Sequence, residues 1–183
     1  MFPTTFQDMG IPIGYAFKRL LFSPIANVLV LQACPAEDNW RPERLYFRQT
    51  VWDKYRLVDN PSDLVSQESP FVHPSKPFLA YNSLQHEFSL DADGQEQHHG
   101  EWHSLQIFNL ESGSVSRSVT PDTLRLPAGY TRGWICEIVA FGDSGLFVKV
   151  GLAKNESSFG YFIAELDPEQ NLRPLFELPA VFM

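Results

Sequence analysis

Cysteine is scarce in this chain: Cys34 and Cys136 are the only two among 183 residues. That excludes a disulfide-stapled miniprotein. One thiol precedes a proline and the other lies in an apolar run, so both read as reduced structural cysteines in a cytoplasmic setting. Long apolar runs are missing too. The stretch from Leu20 to Ala33 is broken by Ser23, Pro24, Asn27 and Gln32, whereas a membrane-spanning helix needs about 20 mostly apolar residues. No membrane contact is expected. The opening residues Met1 to Asp8 lack a basic start followed by an apolar core, so no secretory signal is expected either. Positive charge is also in short supply, with 14 Lys+Arg against 22 Asp+Glu and a net charge of −8. A general nucleic-acid binder needs the opposite surplus, because cations displace the counterions of phosphates. No Walker loop, dinucleotide glycine fingerprint, Gly-x-Ser-x-Gly elbow or His-Glu-x-x-His motif occurs, and no cofactor is expected.

Aromatics and turn formers are plentiful: 15 Phe, 6 Tyr, 4 Trp, 14 Pro and 11 Gly. No 15-residue window holds a helical period free of Pro, Gly or β-branched residues. Period-2 alternation predicts strands instead. A first set falls at Gly14–Phe22, Asn27–Ala33, Glu43–Thr50 and Lys54–Val58. The second is Ser69–His73, Pro77–Leu84, His103–Leu110 and Ser114–Val119. The third is Trp134–Phe141, Gly145–Leu152, Phe159–Asp167 and Asn171–Phe176. These define one all-β domain over residues 1–183, with repeat units at about 14–60, 69–120 and 134–178.

A common grammar runs through the units. The first strand ends in an aromatic and a turn (Phe22-Ser23-Pro24, Phe71-Val72-His73-Pro74, Phe141-Gly142-Asp143). An apolar strand follows, carrying Val28 to Leu31, Phe78 to Tyr81 or Leu146 to Val150. A third strand (Leu45 to Phe47, Leu105 to Phe108, Tyr161 to Ala164) runs into a turn and a final strand. Successive second strands are 50 and 68 residues apart and third strands 60 and 56, so the loops vary while the units recur. This pattern resembles β-propeller blades of the loose TolB-like or WD40-like kind, without a Gly-His…Trp-Asp signature. The resemblance implies strands buried on both sides by neighbouring blades. Propellers have about 4–8 blades, and three cannot close a ring. The expected fold is therefore an incomplete propeller or one completed by a homodimer, with a β-sandwich-like domain as the alternative.

The segment Asp91 to His103 is the most unusual. Asp91-x-Asp93-Gly94 echoes a calcium loop, but Trp102 stands where that loop needs a bidentate Glu. His98, His99 and His103, with Glu101 and His86 nearby, supply imidazoles for a transition metal. In a polar loop between strands ending at Leu84 and resuming at His103, the geometry for this is not supplied, and three histidines there read first as solvated side chains. Gly142-Asp143-Ser144-Gly145 spells a serine-protease nucleophile motif, but Leu146-Phe147 follows where an oxyanion loop belongs. It reads as a tight turn.

Charge is unevenly distributed. Residues 1–60 carry a net +1, residues 61–120 a net −6 and residues 121–183 a net −3. No Lys or Arg lies between Lys76 and Arg117. The expected function is a non-enzymatic protein-binding module, an immunity or inhibitor protein neutralising a basic partner through Glu87, Asp91, Asp93, Glu96, Glu101 and Trp102. Two alternatives stand beside it: a metal-dependent hydrolase using His98, His99 and His103, and a structural, self-assembling module.

Overall fold

The computed structural model describes residues 10–36, 42–49, 53–90, 92–155 and 158–179, without the side chains at 96 and 98–103. Twelve strands follow one another: β1 (Tyr15–Ser23), β2 (Val28–Pro35), β3 (Arg44–Arg48), β4 (Arg56–Leu57), β5 (Val65–Val72), β6 (Phe78–Leu90), β7 (Glu96–Asn109), β8 (Ser114–Val119), β9 (Arg132–Phe141), β10 (Leu146–Asn155), β11 (Ser158–Leu166) and β12 (Leu172–Glu177). Each run of four forms one antiparallel sheet with its strands in sequence order. No α-helix occurs among the described residues, and one 3-10 turn, Pro121–Thr123, precedes the third sheet. The chain is all-β, and its three sheets match the three sequence units.

The sheets stack through two cores that share the middle sheet. Val28, Val30, Leu45, Phe47 and Val58 of the first unit meet Leu79, Tyr81, Phe108 and Leu110 of the second. On the other side, Ala80, Leu105, Ile107 and Val119 meet Ile135, Ile138, Leu146, Val148, Val150 and Leu152 of the third. Strand alternation produces this division, since Leu79 and Tyr81 face one neighbour and Ala80 faces the other. A strand buried on both faces must be apolar throughout, which is why Phe78 to Tyr81 has no polar residue. The leading strand of each later sheet crosses the sheet before it: β5 lies against β1 and β3, and β9 against β5, β6 and β7.

Buried polar groups fix the first junction. Gln67 of β5 accepts from the Leu45 amide at 2.9 Å and donates to the Val58 carbonyl at 2.7 Å. Arg44 donates to the carbonyls of Val65 and Ser62. Glu43 pairs with Lys18, accepts from Gln32 at 2.6 Å, and its amide donates to Ser66 at 3.1 Å.

Two sequence expectations need correction. The strand expected from Ser69 begins at Val65. A bulge with Ser69 at φ 48° interrupts its alternation. The polar segment expected as a loop from Leu84 to His103 is instead a continuation of β6 and β7. Their register runs unbroken from Leu84↔Trp102 to Leu90↔Glu96. A ribbon without a sheet packed on it needs no apolar alternation, so its composition imitates a loop. At the β9–β10 turn, Gly142 and Gly145 exchange backbone hydrogen bonds. A Cβ on Gly145 would stand 2.4 Å from the Leu166 carbonyl oxygen, so only glycine fits there.

Candidate functional site

The continued β6–β7 hairpin places the residues singled out from sequence. β5 pairs with β6 only as far as Gln85, and β8 with β7 only as far as Leu105. Beyond them no further strand pairs with either among the described residues, although the His86 amide still donates to the Leu64 carbonyl at 2.8 Å. Glu87 and Asp93 are exposed, as are the apolar Phe88 and Leu90. Asp91 lies outside the described residues. Glu96, His98, His99, Glu101, Trp102 and His103 belong to β7 by backbone, and their side chains lie outside the description. The register sets His99 opposite Glu87, His98 opposite Phe88 and Glu101 opposite Gln85. His86 is buried, with Nε2 2.7 Å from the Ser66 hydroxyl. Among the described residues, no group of three His, Cys, Asp or Glu side chains could hold a metal ion.

A second feature was missed in the sequence. Between the middle and third sheets lies a cleft of about 280 Å³ walled by Phe78, Ile107 and Phe141, with Lys76 and Arg117 at its rim. Ser75 donates to Asp143 across this junction, and His73 Nε2 stands 3.9 Å from the same carboxylate. His73 Nδ1 accepts from the Ser75 amide at 3.1 Å, and its ring meets Phe141 edge to face at 4.6 Å. Serine, aspartate and histidine are thus neighbours in the wrong order for nucleophilic catalysis. The serine hydroxyl gives its proton to aspartate, whereas an activated nucleophile gives it to histidine. Burial, helped by Lys76 and opposed by Asp143, pushes the His73 pKa below its usual 6.5. The trio ties two sheets together. Both contributing turns were legible as turns; their meeting is a tertiary fact with no local signal.

The third feature is the pair of outward sheet faces at the ends of the stack, on neither of which a further sheet packs among the described residues. On β1, Phe17, Leu20 and Phe22 are 53%, 49% and 52% exposed. They pair with Ala33, Leu31 and Leu29, so they lie on the face turned away from the middle sheet. Part of that face, over β2 and β3, is covered by Ile11 and Tyr55. At the other end, β10 alternates Leu146, Val148, Val150 and Leu152 inward with Phe147, Lys149, Gly151 and Ala153 outward. Across that outward face Trp134, Phe159 and Tyr161 form a cluster with ring centroids 6.0–6.4 Å apart. Lys149 Nζ lies 5.5 Å from the Tyr161 ring centroid. Phe159 and Phe176 are each 57% exposed.

No protein-family model matches the chain, and no curated protein and no solved structure matches it. The class is therefore set by the architecture: an all-β protein of three stacked four-stranded antiparallel sheets with an acidic two-stranded ribbon. No helix among the described residues is long and apolar enough to cross a membrane.

Proposed function

We propose that this protein is a non-enzymatic binding module that grips a basic protein partner through the β6–β7 ribbon. The observation that carries this reading is the ribbon itself, which outruns its flanking strands and exposes Glu87, Asp93, Phe88 and Leu90. Its sequence from His86 to His103 adds Asp91, Glu96 and Glu101 and contains no Lys or Arg. Carboxylates at such a ribbon steer a cationic partner, and the apolar pair supplies area that leaves water on contact. Within this class the acidity suits an inhibitor or immunity-type protein that covers a basic active site. The ribbon then stands where a nucleic-acid or acidic substrate would lie.

The test compares two baits against lysate of the source cells: the native chain and a variant carrying Glu87→Lys, Phe88→Ser and Asp93→Lys. One stoichiometric basic protein held by the native chain, released by salt and absent from the variant is the expected result. Equal capture by both baits, or no stoichiometric partner, overturns the reading.

A further inference from the structure

We infer that the two outward sheet faces are partners for each other, so that two copies of the chain join head to tail into a closed ring of six sheets. The stack follows one rule throughout: the leading strand of a sheet lies across the face of the sheet before it, as β5 does on the first sheet and β9 on the second. The third sheet presents such a face, on which no sheet packs among the described residues. The leading strand of the whole chain, β1, presents the matching apolar stripe of Phe17, Leu20 and Phe22. Applying the rule once more lays β1 of a second copy across Trp134, Phe159 and Tyr161. The twofold-related contact then lays β1 of the first copy on the third sheet of the second.

Three properties favour this occupant. The stripe and the aromatic cluster are both apolar, and each would otherwise leave large side chains in water. The ends also differ in charge: residues 1–60 carry a net +1 and residues 121–183 a net −3. In net charge, head-to-tail contact brings a +1 unit to a −3 unit, whereas two third sheets face to face would bring −3 to −3. Finally, a contact between two different surfaces either closes or propagates. Two copies of a three-sheet arc give six sheets, within the range of about 4–8 over which propeller rings close. The inferred contacts need only β1 and the third sheet, so this assembly stands or falls separately from the partner reading above.

Sedimentation equilibrium on the full chain tests it. The expected mass is twice the 20.9 kDa of one chain. A Leu20→Glu/Phe22→Glu variant and a separate Phe159→Glu variant should each run as a monomer, with the far-ultraviolet spectrum of the native chain. Mixing the two rebuilds one of the two contacts, so the mixture should dimerise more tightly than either variant alone, and less tightly than the native chain. A monomeric native chain at tens of micromolar overturns the inference without any variant. So does a dimer that survives the β1 substitutions, which would mark a symmetric contact between third sheets. An open series of oligomers growing with concentration overturns closure.

Discussion

Gly151 lies directly under the indole of Trp134: the two are paired across β10 and β9, and a Cβ on Gly151 would stand 2.2 Å from the ring. The glycine lets the indole lie along the sheet and so shapes the aromatic face of the third sheet. Gly151→Ala is expected to lift the ring and to cost about 1–3 kcal/mol, the usual penalty of overpacking. Urea unfolding reads the loss, and the near-ultraviolet spectrum reads the displaced indole. An unchanged spectrum would show that the indole does not depend on this glycine.

Gln67 is expected to be the costliest single polar residue to replace at the first junction. Its side chain satisfies both the Leu45 amide and the Val58 carbonyl. Gln67→Leu leaves both backbone groups without partners in a buried setting, at about 1–3 kcal/mol each. Denaturant titration should show a combined loss well above that of Gln106→Leu, since Gln106 bonds only to two serine hydroxyls.

Glu68 predicts a change of the opposite sign. Burial, with the nearby Glu43 carboxylate, raises its pKa above the usual 4.5, and Lys18 only partly offsets this. A raised carboxyl pKa penalises the folded state where the group is ionised and relieves it as pH falls through the folded and then the unfolded value. Glu68→Gln should therefore stabilise the protein at pH 7, and the gain should fade below about pH 4.5. Thermal unfolding of both proteins across that interval is the measurement.

His73 gives stability a pH dependence in a different window. Its folded pKa lies below 6.5 because burial disfavours the imidazolium. Below the unfolded value the unfolded chain binds a proton that the folded chain resists, so stability falls as pH drops through about 6.5. In His73→Gln the stability curve between pH 7 and 5 should be flatter, even where the variant is less stable overall. An identical slope would remove His73 from the account.

The strands were largely legible because a sheet buried on one or both faces writes its burial into the sequence. Ser114–Val119 appears with the same bounds in sequence and structure, and Val28 to Leu31 and Phe78 to Tyr81 read as apolar runs because both their faces are covered. The ribbon was illegible for the converse reason. Among the described residues no further strand pairs with it between His86 and Gly100, its sequence there shows no apolar alternation, and only the backbone ladder reveals it. The meeting of Ser75 with Asp143 was equally hidden, since it joins residues 68 apart in two turns.

The division of β6 between two cores makes the middle sheet a common wall. Tyr81 and Ala80 are consecutive in the chain, yet they belong to different interiors. Neither outer sheet can detach without wetting one entire side of that wall, including Leu79 and Tyr81 or Leu105 and Ile107. In repeat architectures each unit is stabilised by its neighbours, and here both cores between units run along the middle sheet. Damage to β6 therefore reaches both ends of the molecule at once, whereas damage to β12 or β4 stays at the margin where it falls.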